Sequence, residues 1–180
     1  MSRGASMTSA KWQQAAPAPL PLRNGGMETF RAIAEQLPQL LEQLRVANPY
    51  GRETRLSIPR VPGVYLLSEQ DHPIYVGQTR DLRRRRGQHS RASSRQNQAT
   101  LAFNLARKTA ASRADIGGRG SRASLAADPL FDSLFRAARE RVAAMEFRFV
   151  EIREPELRTV FEVYAAVAFG TSEHNSFETH

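Results

Sequence analysis

The sequence predicts an α/β (α+β) fold in which helices surround a small β element. Three observations carry that prediction. Gly63 to Leu67 (GVYLL) and Ile74 to Gly77 (IYVG) are short β-branched and aromatic runs separated by SEQDHP, a polar stretch ending in proline. That is the pattern of an antiparallel hairpin. Met145 to Ile152 alternates well enough to be a third strand, and helical-period segments precede, separate and follow these runs.

Residues 1–26 are rich in Ala, Ser, Gln and Pro, show no periodicity and read as a flexible N-terminal tail. From Glu28 to Val46 the apolar positions Phe30, Ile33, Leu37, Leu40, Leu41 and Leu44 recur at helical spacing, and Pro38 is expected to kink or split that helix. Residues 27–60 therefore form a helical segment and a connection ending in Pro59. Asp81 is placed to cap a helix from Leu82 to about Arg91, and Thr100 to Lys108 continues in helical style. A basic insertion is expected over about residues 93–127, ending in a Gly-, Ser- and Arg-rich loop at 111–127. Asp128 and Pro129 open another helix, running to about Ala144, in the usual cap-then-proline order. Pro155 opens a last helix through Phe169, stopped by Gly170.

Composition narrows the function. The 180 residues include 26 basic and 18 acidic side chains, and 41% are apolar, an ordinary share for a chain that buries a core. There is no cysteine, which excludes a disulfide scaffold, a thiol nucleophile and a thiolate zinc site. No apolar run approaches the ~20 residues that span a bilayer, and the N-terminus lacks a secretory core. The expectation is a soluble, cytoplasmic protein without a membrane partner. Residues 80–122 hold twelve basic and two acidic groups, whereas the rest of the chain holds fourteen and sixteen. One segment thus carries the whole positive excess, as a phosphate-binding surface would, or as a solvated basic face would.

Three features can bear chemistry. Tyr65 and Tyr75 fall on the paired strands, opposite or nearly so and on one face if the turn centres on Gln70. Such a pair also packs well and needs no further role. In the helix DLRRRRGQH, Arg85 and His89 share a face one turn apart while Arg83, Arg84 and Arg86 fan around the rest. An anionic partner would relieve their mutual repulsion. Glu162 is the only charge in TVFEVYAAVAF and must reach water, a cation or a metal. Arg158, one turn earlier, offers a plain ion pair, and a metal-binding role is the alternative.

Together the signals match a pattern. Gly63-Val64-Tyr65, then Tyr75-Val76-Gly77 ten residues on, Arg85 ten further and His89 four beyond resemble the signature of the GIY-YIG nuclease family. Glu162 on a late helix and Asn175 shortly after can supply the rest of it, and valine replaces isoleucine in both tripeptides. The resemblance spans residues 61 to about 177. It implies a small three-stranded antiparallel sheet flanked by helices and metal-dependent hydrolysis of phosphodiester bonds with one divalent cation, Mg²⁺ or Mn²⁺. It further implies that Glu162 is the metal ligand and that Tyr65 acts as general base or positions the attacking water. Tyr75 would support the nucleophile and contact phosphate, and Arg85 would stabilise the developing charge. His89 would orient water or Tyr65, and Asn175 would brace the site. A free phenol with a pKa near 10 is a poor base, and Arg85 with a nearby cation is expected to lower that of Tyr65.

DNA is the expected partner, duplex or single-stranded, and a homodimer of the kind restriction enzymes form is compatible with the chain. Arg80, Arg83, Arg84, Arg86 and Arg91 are the expected DNA contacts, joined by Arg113, Arg119 and Arg122 from the basic loop. The alternatives are a single-strand- or structure-specific nuclease, which shares every catalytic residue, and a non-catalytic nucleic-acid-binding module.

Overall fold

The computed structural model describes residues 25–91, 94–95, 97–112 and 121–175. The expected N-terminal tail lies outside the described residues, apart from Gly25 and Gly26. Helix α1 runs unbroken from Gly26–Val46 with Pro38 inside it, so the expected split does not occur. Its Leu37 and Leu44 are buried against the rest of the domain, and that packing holds the helix through the proline.

A short 3₁₀ helix, Glu53–Ser57, interrupts the connection, and Tyr50 pairs with Phe147 as an isolated antiparallel bridge. Strands β1 (Gly63–Glu69) and β2 (His72–Thr79) form the hairpin, turning at Gln70 and Asp71, both with positive φ. Two consecutive left-handed residues make the tight turn whose twist suits a hairpin. The strands are longer than their apolar runs, because Ser68, Glu69, His72 and Pro73 within SEQDHP also pair, as do Gln78 and Thr79 at the far end. Strand β3 (Glu146–Glu151) joins antiparallel on the other side of β1, giving the order β2-β1-β3. The fold is thus α+β, with a three-stranded antiparallel sheet flanked by helices.

Helix α2 (Leu82–Ser90) is capped by Asp81, whose carboxylate accepts from the Arg84 N–H. Helix α3 (Thr100–Ala111) follows, and the segment read as loop contains a further short helix, α4 (Arg122–Ala126), capped by Ser121. A serine cap offers a local nucleus that Gly- and Arg-rich composition obscures. Helices α5 (Pro129–Ala144) and α6 (Pro155–Ala168) complete the chain, with Asp128 capping the first and Gly170, at positive φ, following the second. No helix among the described residues is long and apolar enough to cross a membrane.

The sheet separates two apolar layers. On one face Tyr65, Leu67 and Phe147 pack with Leu82, Phe103, Phe131 and Phe135 of α2, α3 and α5. On the other, Val64, Leu66, Val76 and Val150 pack with Leu37 and Leu44 of α1 and Phe161 and Ala165 of α6. Side chains alternate across a strand, so β1 reads as a continuous apolar run because it is central and covered on both faces.

Candidate active site

Tyr65 is the centre of the site. Its ring is fully buried and stacks on Phe147, with centroids 4.9 Å apart and planes 16° off parallel. The strand register sets Tyr65 opposite Gly77 and Leu67 opposite Tyr75. The two tyrosines therefore share a face but meet diagonally, with ring centroids 6.1 Å apart. The offset arises because the turn centres between Gln70 and Asp71 and the register shifts at Leu67/Ser68. Gly77 leaves the room that Tyr65 fills: a Cβ there would lie 2.5 Å from the Tyr65 hydroxyl.

Helix α2 brings two groups to that hydroxyl. Arg85 Nε donates to the Tyr65 oxygen at 2.9 Å, and His89 Nε2 lies 3.0 Å from it. Arg85 takes one of the two acceptor sites of the Tyr65 oxygen, and the direction of the contact with His89 follows the imidazole tautomer. Arg85 is itself held by the Gln98 carbonyl at 3.1 Å and Gln88 Oε1 at 3.3 Å.

The electrostatics follow from burial. Desolvation raises the Tyr65 phenol above its ordinary value, outweighing the opposing pull of Arg85. The expected lowering by Arg85 does not prevail, because a phenolate shut away from water loses more than one guanidinium returns. Burial, followed by the Tyr65 charge, raises Tyr75 as well. His89 is driven well below the ordinary imidazole value by burial and by Arg85 and Arg86, so it is neutral at pH 7.

Glu162 reaches the open edge of β2 from α6. Its carboxylate accepts from the Gln78 main-chain N–H at 3.1 Å and from Gln78 Nε2 at 2.8 Å. Asn175 takes the next outward-facing group on that edge, donating from Nδ2 to the Val76 carbonyl at 2.6 Å. Two side chains thus occupy main-chain groups that a fourth strand would otherwise pair. Burial raises the Glu162 carboxyl above its usual range, against the opposing effects of Gln78, Arg85 and Arg158. Arg158 and Glu162 make no direct ion pair; Gln78 stands between them, its Oε1 accepting from Arg158 Nε at 3.1 Å. Tyr65, Tyr75, Arg85, His89 and Glu162 therefore form one electrostatically connected group, and Asn175 lies behind it on β2.

The basic residues divide. Arg86, expected on the DNA-facing surface, is fully buried and donates to the Ala143 and Met145 carbonyls at 3.3 and 2.9 Å. Its position on α2 points into the sheet-side core, where burial pulls its pKa down to about 10, which still leaves it charged. Arg83 is half-buried, with Nε on the Ile58 carbonyl at 2.6 Å. Arg80, Arg84 and Arg91 are exposed. Arg122 lies over the Phe103 ring at 4.8 Å, and Arg113 and Arg119 fall outside the described residues.

Three contributors escape sequence reasoning. Phe147 forms the stacking floor of Tyr65, a pairing fixed only by the β1–β3 register. Gln78 grips Glu162, and its parity on β2, matching Val76, was an available signal. Arg55 from the 3₁₀ helix lies against Gly87 of α2, where a Cβ would come within 3.0 Å of its Nη1. Arg55, Arg60, Arg80, Arg84 and Arg91 pair with no carboxylate among the described residues, whereas Arg45, Arg136, Arg141, Arg148 and Arg153 each do.

A comparison with protein families matches residues 61–112 to the GIY-YIG catalytic domain. No curated protein and no solved structure matches the chain. The matched stretch contains both tyrosines, Arg85 and His89; Glu162 and Asn175 lie beyond it. It opens two residues before β1 and closes one residue after α3, taking in the hairpin and the helix that serve the buried phenol, and over that stretch the chain is similar to the GIY-YIG catalytic domain.

Proposed function

We propose that this protein is a metal-dependent DNA endonuclease that hydrolyses phosphodiester bonds with Tyr65, Tyr75, Arg85, His89 and Glu162, braced by Asn175. The observation that carries the reading is the Tyr65 hydroxyl, a buried phenol held between a guanidinium donor and a neutral imidazole. Phosphodiester hydrolysis needs an activated water, an acceptor for its proton and neutralisation of charge on the phosphorus oxygens. Tyr65 takes the proton of the attacking water as its own passes to the Nε2 of a His89 unprotonated there, and that proton returns to the ester oxygen as its bond to phosphorus breaks. Arg85 keeps its remaining N–H groups for the developing phosphate charge, and Tyr75 donates to the same phosphate.

Glu162 is the residue suited to hold one divalent cation. It is a hard oxygen donor whose two Gln78 contacts leave lone pairs free. The described residues hold no cluster of three His, Asp or Glu side chains that could hold a metal ion, so Mg²⁺ or Mn²⁺ at Glu162 would complete its coordination with water and substrate phosphate. Such a cation supplies charge neutralisation at the phosphate and offsets the Glu162 charge, which otherwise raises both phenols. The unpaired arginines Arg80, Arg84 and Arg91, with Arg55 and Arg60 beside them, supply the DNA-backbone surface, and Arg83 adds its outer N–H groups. We place the enzyme in the cytoplasm.

A cleavage assay on labelled single-stranded, duplex and branched DNA with Mg²⁺, Mn²⁺ or EDTA tests the reading. Tyr65→Phe and Glu162→Ala should each lose cutting by at least ~10²–10⁴-fold while retaining DNA binding. Wild-type turnover by either variant removes that residue from the mechanism. Binding without metal-dependent cutting on every substrate would support a non-catalytic binding module instead.

A further inference from the structure

Glu162 is gripped by a single residue at two points. The Gln78 main-chain N–H takes one carboxylate oxygen and the Gln78 side-chain amide takes the other, at 3.1 and 2.8 Å. Two donors from one residue fix both the plane and the rotation of the carboxylate. An amide can present either end, and here the choice is made by Arg158. Its Nε donates to Gln78 Oε1, so Nε2 is the end turned toward Glu162. Nε2 also reaches Thr159 Oγ1 at 3.3 Å; that hydroxyl gives its proton to the Pro155 carbonyl and is therefore an acceptor for the amide. Arg158 is buried and anchored in turn, with Nη1 on the Ile152 and Arg153 carbonyls at 3.2 and 3.3 Å. The chain of contacts runs from the end of β3 through Arg158 and Gln78 to Glu162.

We propose that Gln78, oriented by Arg158, is the positioning residue that aims the free lone pairs of Glu162 at the divalent cation. The proposal rests on the reading of Glu162 as the cation's ligand. The amide has a property that a direct Arg158–Glu162 ion pair lacks. A guanidinium on the carboxylate would neutralise it and compete with a cation for the same oxygens, whereas the amide fixes the geometry and leaves the charge. A carboxylate offers about four lone-pair sites; Gln78 engages two of them and leaves the others for a cation. Hydrogen-bonded partners of metal ligands commonly set affinity through such orientation.

The test is Mn²⁺ uptake by the full chain, read from the electron paramagnetic resonance of free aqueous Mn²⁺, with dimethyl phosphate present as an uncleaved diester. Wild type should take up the ion and Glu162→Gln should lose it. Gln78→Met keeps the main-chain N–H and the side-chain length but not the amide, and should weaken uptake about 10- to 100-fold. Gln78→Asn, an amide too short to reach, should match it. Arg158→Met should also weaken uptake, and combining it with Gln78→Met should add nothing, because Arg158 acts through Gln78. Thermal unfolding of Gln78→Met near the wild-type temperature separates this loss from a loss of fold. Wild-type affinity in both Gln78 variants, with uptake lost in Glu162→Gln, overturns the positioning role. Undiminished uptake in Glu162→Gln, or none in the wild type, overturns the assignment of the ligand itself.

Discussion

Gly77→Ala tests whether the packing around Tyr65 sets the activity. A Cβ built at Gly77 would sit 2.5 Å from the Tyr65 hydroxyl oxygen, 2.6 Å from Cζ and 2.7 Å from Tyr75 Cε1. Ordinary contact begins at 3.4 Å, so one ring or both must give way by nearly 1 Å. Tyr65 has little freedom to do so: its hydroxyl is held by Arg85 and His89, and its ring is stacked on Phe147. Overpacking of this kind costs about 1–3 kcal/mol of stability. A displacement near 1 Å at a reacting group lowers turnover on the order of 10²-fold. The assays are denaturant unfolding and metal-dependent cleavage at saturating DNA. We expect both to fall, with DNA affinity near that of the wild type because the exposed arginines are untouched. Wild-type turnover and stability together would refute the claim that Gly77 exists to admit the Tyr65 ring. Loss of stability without loss of turnover would refute the claim that the hydroxyl's position sets the rate.

Two further outcomes are expected. His89 is held neutral in the folded chain but titrates near 6.5 when unfolded, so the unfolded state binds more protons as pH drops below 6.5. The His89 contribution to stability should be full above that value and fall on acidification by at most ~1.4 kcal/mol per pH unit. His174 is lowered too, so His89→Asn should shrink the slope of the unfolding free energy against pH rather than remove it, and an unchanged slope would contradict the buried neutral imidazole. On the outer face of α2, replacing Arg55, Arg84 and Arg91 together by glutamine should flatten the dependence of log K for duplex binding on log salt. The slope should change by ~0.9 for each phosphate that the variant no longer neutralises, and an unchanged slope would place the DNA elsewhere.

Much of the site was legible because its first half is local. The hairpin follows from two β-forming runs and a polar break, and the α2 boundary follows from Asp81 as cap. The four-residue spacing of Arg85 and His89 guarantees a shared helix face, and strand parity puts both tyrosines on one side of the sheet. Basic composition marked the segment that carries the unpaired arginines, but one residue in it went the other way. Charge alone cannot separate Arg84, in water, from Arg86, two positions on and turned into the core. That difference is a matter of helix phase relative to α5 and β3.

By itself, the sequence determined the fold class, the order of the three strands and the longer helices from the apolar runs, caps and glycine stop, and the residue types that can handle a phosphodiester. These are consequences of backbone preference and short-range spacing. Only the tertiary structure decided that α1 survives Pro38, that Phe147 lies under Tyr65, and that Gln78 stands between Arg158 and Glu162. Only burial, in turn, decided the charge states. Removing water from the Tyr65 phenol and the His89 imidazole favours their neutral forms, so both stay uncharged. Desolvation depends on what covers a group, and the covering residues come from strands and helices distant along the chain.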